Sequence, residues 1–353
     1  MNQTYRIALL PGDGIGLEVV PAAIRVLEAA GATDGVAFTW DSHDWGCQYY
    51  LKHGRMMPED GLHELRGADA IFLGAVGAPE VPDDVSLWGL LIPIRRSFDQ
   101  YINLRPVRSM VGLDTPLRND DPFDFVVVRE NTEGEYSEIG GRLFRGSERE
   151  IAVQEAVFSR IGVQRAVRFA FDLARKRDTR VDSATKSNGI IHTMPFWDEI
   201  VEEVAEAFPG VEHGRYHVDA LAAQFVLDPY RFGVVVASNL LGDILTDLGA
   251  AITGSIGIAP SANINPERTF PSMFEPVHGS APDIVGRGIA NPVGQIWSGA
   301  MMLDHLGEPG TGDRIRRAFE RVFAETDIRT PDLGGSSTTD QFTEAVLANL
   351  PEG

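Results

Sequence analysis

Hydrophobic positions along this chain fall into short strand-like runs separated by stretches of helical period. Residues 5–31 open with an apolar run, pass through the Gly-rich turn Gly12–Gly16, and continue as an amphipathic pattern; this predicts strand, turn and a helix ending before Gly31. Residues 36–43 alternate as a second strand, and residues 68–77 form a buried one closed by small residues. A helix is predicted around Ser86–Ser97, then a strand over residues 100–108 ended by Pro106, then an apolar strand over residues 124–131. Residues 135–157 lack helical period and predict an extended β excursion, the part best placed to reach another chain. From Ser159 to Arg177, Val163, Ala166, Val167, Ala170 and Leu173 keep helical spacing. Strand–helix pairs then repeat up to about residue 252, followed by a Gly/Pro-dense stretch to residue 292 that is too long for a plain connector and is a candidate functional loop. Helices near Pro292–Leu306, Gly312–Ala324 and Thr338–Leu350 close the chain, and the alternation argues α/β.

The length of 353 residues suits about two domains. A formal net charge of −20 repels phosphate backbones and anionic lipid, so neither nucleic acid nor membrane is expected as a partner. No apolar run reaches the roughly 18 residues that span a bilayer. The start of the chain is too short in apolar residues for a signal peptide. Cys47 stands alone, which removes any intrachain disulfide or cysteine zinc cage and fits a reducing cytoplasm. Only Lys52, Lys176 and Lys186 are lysines, so a lysine in unusual surroundings draws notice.

The turn Gly12-Asp13-Gly14-Ile15-Gly16 invites a dinucleotide reading, but its spacing is G-x-G-x-G rather than G-x-G-x-x-G, and a tight strand–helix turn explains it. Asp243 and Asp247 share one helix face at i,i+4. A solvated acidic face is the ordinary explanation, yet unpaired carboxylates on so apolar a helix are expensive unless a cation neutralises them. With Asp219 at the start of another helix they make three hard oxygen donors, suited to Mg²⁺ or Mn²⁺. Arg95, Arg105 and Arg129 each follow apolar residues at element ends; singly each reads as a salt-bridge partner, together as a clamp for a dicarboxylate. Lys186 is either a surface charge or, beside a metal, a base of lowered pKa. Tyr136 alone reads as a packing residue, and His278 as part of a backbone-rich loop that wraps a ligand.

Taken together, the segments around Gly12–Gly16, Arg95–Arg105, Arg129–Tyr136, Lys186–Asn188, Asp219, Asn239–Asp247, Glu275–Asn291 and Asp332 resemble the β-decarboxylating dehydrogenases of the isocitrate/isopropylmalate dehydrogenase family, end to end. The resemblance implies a two-domain α/β fold that is not a Rossmann fold, with a large mixed sheet spanning both domains. Residues 1–103 and 256–353 would form a discontinuous cofactor-side domain, and residues 104–255 a substrate and dimerisation domain with the β arm near residues 135–157. It implies that Arg95, Arg105 and Arg129 bind substrate, that Tyr136 and Lys186 are the catalytic pair, and that Asp219, Asp243 and Asp247 hold Mn²⁺ or Mg²⁺. NAD would lie along Glu275, His278, Gly279, Ser280, Ala281, Asp283 and Asn291, with Asn188 and Asp332 also in contact. Lys186 and Asp219 would reach the site from the second subunit of a homodimer.

Within the family, isopropylmalate enzymes carry an acidic residue on the substrate helix where this chain has Trp88, and the pattern that holds isocitrate's third carboxylate is absent. The chain resembles the tartrate and D-malate dehydrogenases most. That resemblance implies NAD- and metal-dependent oxidation of a 2-hydroxy diacid, with decarboxylation where a β-keto acid forms, and K⁺ as a further cofactor. Isopropylmalate oxidation is the alternative within this chemistry. A non-catalytic regulatory subunit is the alternative outside it, opposed by the presence of every implied contact residue.

Overall fold

The computed structural model describes residues 3–118 and 121–350, which cluster into two compact units. Unit 1 comprises Met1–Gln100, Arg108–Pro122 and Ala250–Gly353; unit 2 comprises Tyr101–Val107 and Phe123–Gly249. The strands are β1 Gln3–Gly12, β2 Val36–Ser42, β3 Ala70–Ala75, β4 Ile102–Arg108, β5 Asp124–Glu130, β6 Gly140–Leu143, β7 Ile151–Gln154, β8 Val181–Thr185, β9 His213–His217, β10 Val234–Ala237, β11 Pro260–Ile264 and β12 Ser272–Pro276. In unit 1 their order is β2-β1-β3-β12-β11, parallel except for the antiparallel pair β11/β12. In unit 2 the order is β4-β5-β10-β8-β9, with β5, β10, β8 and β9 mutually parallel. Every residue of β3 and β10 is buried, as expected for parallel strands covered on both faces. The α/β class read from the sequence is the observed one.

Unit 1 is organised around the helix Val293–Leu306, in which every residue from Val293 to Leu303 is buried. It lies against β11, β12 and the helices Gly16–Asp34 and Pro309–Glu325. A helix with no solvent face must satisfy its polar side chains internally. Gln295 Nε2 donates to Leu73 O at 3.0 Å, and Ser298 Oγ donates to Glu275 O at 2.8 Å. These bonds tie the helix to β3 and to β12, at whose end the expected cofactor-contact residue Glu275 lies.

Three local readings change. The first helix runs on to Asp34 and is capped by Gly35 at φ 74°, whereas Gly31 lies inside it. Gly31 is a packing glycine: a Cβ there would sit 2.6 Å from Val36 O. β4 continues through Pro106, because a proline costs a strand one donor but not its extended backbone. The Gly/Pro-dense stretch contains the fully buried strands β11 and β12. Their runs PSANI and SMFEP mix polar with apolar residues, and the polar ones are buried by hydrogen bonding within the protein, as when Asn263 Nδ2 donates to Glu275 Oε1 at 2.7 Å. The excursion at residues 135–157 is an antiparallel ribbon of β6 and β7 whose residues are all exposed.

Unit 2 has its own core, in which Trp197 is fully buried and donates from Nε1 to Ser183 Oγ at 2.9 Å. Trp197→Ala is expected to destabilise the protein by about 3–5 kcal/mol through the cavity it leaves. Urea unfolding checks this, and a loss below about 1 kcal/mol would show that Trp197 is not a core anchor.

Candidate active site

The site residues of unit 2 are brought together by three elements. β4 carries Arg105, β5 carries Arg129, and the helix Asn239–Ile252 carries Asp243, Thr246 and Asp247. Both arginines are buried, Arg129 to 4% exposure and Arg105 to 7%. Arg129 is fully engaged: Nη1 donates to Asp243 Oδ1, and Nε and Nη2 donate to Asn239 Oδ1 at 2.9 and 2.8 Å. Arg105 Nη1 donates to Thr246 Oγ1 at 2.6 Å and lies 3.6 Å from Asp243 Oδ1 and 3.9 Å from Asp247 Oδ1. The helix approaches this closely because residue 242 is glycine; a Cβ there would sit 2.7 Å from Arg129 Cβ.

Tyr136 joins the same cluster. Its hydroxyl donates to Asp243 Oδ2 at 3.1 Å, and its ring lies 5.7 Å from the Arg129 guanidinium carbon. The segment leading to it is pinned to the helix start: Glu135 accepts from Ser238 Oγ at 3.0 Å and Leu240 N at 3.1 Å, and Asn239 Nδ2 donates to Glu133 O at 2.9 Å. Behind it the buried Glu130 accepts from Thr132 N, Thr132 Oγ1 and Glu133 N at 2.8–2.9 Å. Burial pushes its carboxyl above the usual carboxylate range despite these bonds.

Burial cost alone does not call for a metal at Asp243 and Asp247. The helix is not enclosed, since Ile244 is exposed, and Arg105 and Arg129 already offset the acidic charge. What remains is a pair of carboxylates one turn apart, the kind of oxygen donor a hard divalent cation takes. Asp247 is held above the usual range by desolvation, with the charge of Asp243 adding to it and Arg105 and Arg129 opposing. Asp219 does not join them. Among the described residues no three His, Cys, Asp or Glu side chains converge as a metal site. Asp219 instead accepts from Lys186 Nζ at 2.7 Å, and that bond holds its carboxyl below the usual range. Asn188, two residues beyond Lys186, is exposed.

In unit 1, the helical segment from Asp83 to Ser97 includes a π-turn at Leu87–Leu91, a wider winding common at functional sites. Trp88 sits in that turn, its ring 5.1 Å from the Arg96 guanidinium carbon. Arg95 Nη2 donates to Glu275 Oε1 at 2.8 Å. His278 is buried, with Nδ1 bonded to Gly279 O at 3.0 Å and Nε2 without a hydrogen-bond partner among the described residues. Burial lowers its pKa, so the ring is neutral at pH 7. A Cβ on Gly279 would meet nothing within 4 Å. A buried ring nitrogen without a partner is a group that a polar ligand could satisfy. Asp283 is exposed, and Ala281 holds φ 43°. Asp332 accepts from Asn291 Nδ2 at 3.0 Å and Ser255 Oγ at 2.5 Å, beside a cleft of about 380 Å³ that Asp114, Asp327 and Arg329 also line.

The Gly12–Gly16 turn is not a phosphate cradle. Asp13 N donates to Ala75 O at 2.7 Å, Ile15 N to Ser280 O at 2.9 Å, Gly16 N to Asp13 O at 3.0 Å and Leu17 N to Gly14 O at 3.2 Å. These amides are already spent within the protein, and a phosphate needs them free. Sequence reasoning had passed over Glu135, Asn239, Thr246 and Asn263. The signal for Asn239 and Thr246 was there: polar residues on the arginine side of an apolar helix.

Among known proteins, this chain is 56% identical over 348 residues to a "Probable tartrate dehydrogenase/decarboxylase" of Bacillus subtilis (strain 168), covering 98% of both chains. It is 55% identical to the "D-malate dehydrogenase [decarboxylating]" of Escherichia coli (strain K12), again covering 98% of both. Among solved structures, isocitrate dehydrogenase from Methylococcus capsulatus superposes with a TM-score of 0.90 at 38% identity, covering 98% of this chain and 99% of that one. Residues 6–346 match the isocitrate/isopropylmalate dehydrogenase family, and the chain belongs to it.

Proposed function

We propose that the protein is an NAD- and divalent-metal-dependent dehydrogenase that oxidises tartrate, D-malate or both, and decarboxylates the product where it is a β-keto acid. The observation that carries this reading is the cluster of two buried guanidiniums, Arg105 and Arg129, around Asp243 and the Tyr136 hydroxyl. It offers a dianion binding groups, a metal ligand and a proton donor in one place. The names of the relatives support the substrate, and the family is a metal- and NAD(P)-dependent group.

In this reading Arg95, Arg105 and Arg129 bind the carboxylate remote from the reacting carbon, using the bidentate fit of guanidinium to carboxylate. Trp88, braced by Arg96, favours the smaller diacids over isopropylmalate. When bound, the cofactors supply a hydride acceptor and a Lewis acid at the C2 oxygen, the metal held by Asp243 and Asp247 with the partner subunit's Asp219. The partner subunit's Lys186 accepts the C2 hydroxyl proton. After CO₂ leaves, Tyr136 delivers a proton to C3, so that D-malate ends as pyruvate. The homodimer is supported by apolar residues exposed on unit 2, including Ile190, Ile191, Leu227, Leu240, Ile244 and Phe144. The loop Glu275–Asn291, with Asn188 and Asp332, contacts NAD; K⁺ is a further cofactor, and the protein works in the cytoplasm. Among the described residues no helix is long and apolar enough to cross a membrane.

The direct test is NADH formation by purified protein with Mn²⁺ and D-malate, tartrate or isopropylmalate in parallel; turnover of isopropylmalate alone would overturn the substrate assignment. Asp243→Asn is expected to keep the fold but weaken activation by Mn²⁺, since one charged ligand is lost; an unchanged Mn²⁺ titration would remove Asp243 from the metal site. Lys186→Ala is expected to lower turnover by about 10²–10⁴-fold with little change in cofactor affinity, whereas near-normal turnover would assign the proton to another group. The Asp283 carboxylate can accept from the ribose 2′-OH but repels a 2′-phosphate, giving NAD an expected advantage of at least about tenfold in kcat/KM. Equal values for NAD and NADP would contradict it, as would an Asp283→Lys enzyme whose cofactor ratio did not move.

A further inference from the structure

We propose that Asp13 is a positioning residue for cofactor binding: it clasps the Gly12–Gly16 turn, and that turn holds the backbone of Ser280 in the loop carrying His278 and Asp283. The proposal rests on the cofactor role given to that loop above.

Asp13 is a buried carboxylate, 3% exposed, that no part of the proposed chemistry uses. Its oxygens accept from Cys47 N at 2.9 and 3.0 Å and from Gly77 N at 3.0 Å. The Cys47 thiol, pushed up to about 12 by burial and then by its hydrogen bond to Asp13, stays protonated beside the same carboxylate. Gly46 approaches so closely that a Cβ there would sit 2.9 Å from Asp13 Oδ1. One side chain therefore ties together three separate segments of unit 1: the turn after β1, the start of the helix Cys47–His53, and the backbone just after β3.

From that knot the contacts run directly to the loop. Ile15 N donates to Ser280 O at 2.9 Å. A Cβ on Gly14, whose φ is 59°, would fall 2.1 Å from the same oxygen, so this contact needs a residue without a side chain. Gly77, held by Asp13, lies where a Cβ would be 3.3 Å from Ser280 Oγ. Next to Ser280, Ala281 adopts φ 43°, a conformation that surrounding structure must enforce. Ile15 and Val19 pack with Ala281, Ile284 and Ala290, and Glu18 Oε1 accepts from Gly286 N at 2.7 Å. Asp283 forms no hydrogen bond or ion pair of its own among the described residues, so the backbone on either side sets its position. Contact groups hold their geometry only as well as the residues behind them do.

The experiment pairs hydrogen exchange without cofactor with cofactor affinity. In Asp13→Asn, amides of residues 278–286 are expected to exchange at least about tenfold faster, with the helix Val293–Leu306 unchanged. The KM for NAD and the Kd for NADH are expected to rise by about tenfold while kcat and the KM for the diacid stay within about twofold. A merely structural role would instead lower the active fraction and leave both KM values where they were. Unchanged exchange in residues 278–286 overturns the clasp, whatever the enzyme does. Faster exchange with unaltered NADH affinity overturns only the cofactor role of the loop. Should Asp13→Asn fail to fold, Gly14→Ala breaks the Ser280 contact without touching Asp13, and the same two changes are expected of it; their absence overturns the proposal.

Discussion

Burying two guanidiniums in a strongly acidic chain is the constraint on which the unit 2 site depends. A buried charge is tolerated only when paired and hydrogen-bonded, and Arg129 reaches that state through Asp243 and Asn239 on one helix. That requirement accounts for much of the local sequence. Gly242 lets the helix come close, Thr246 accepts a hydrogen bond from Arg105, and Glu135 holds the helix start while placing Tyr136 over the same carboxylate. If these guanidiniums bind the substrate anion as proposed, they are already held by hydrogen bonds before it arrives, and binding it need not order them.

The same arrangement leaves the chain with two separate sets of chemical groups in unit 2. Arg105, Arg129, Tyr136, Asp243 and Asp247 form one; the Lys186–Asp219 ion pair forms the other. Neither is sufficient for the proposed chemistry, because the first has no base and the second has no clamp. Under the proposed function a second copy of the chain would supply what each set lacks, and the exposed apolar residues of unit 2 and its β ribbon would give such a copy something to bury.

Much of this was legible in the sequence. The strand and helix periods gave the α/β class, and the Asn239–Asp247 and Glu275–Asp283 motifs gave the family, because spacing and residue type are properties of the chain. Pairing is not. That Asp243 is neutralised by Arg129, more than a hundred residues away, depends on strand order. The glycine that stops the first helix was misjudged because Gly31 and Gly35 look alike until the close approach of Val36 O separates packing from capping. β11 and β12 were hidden for a related reason: a stretch dense in Gly, Pro and polar residues reads as a loop until Asn263 and Glu275 are seen to satisfy each other in the core.

The central claim is that catalysis needs Tyr136 from one copy and Lys186 from another, and subunit complementation tests it most directly. Tyr136→Phe and Lys186→Ala, each weakly active alone, would be mixed, dissociated and reassembled, and NADH formation measured. If the sites are shared, hybrid dimers carry one intact site, and an equimolar mixture should recover about a quarter of wild-type activity. Activity no higher than the mean of the two parents, with hybrids shown to have formed, would mean that each chain builds its site alone.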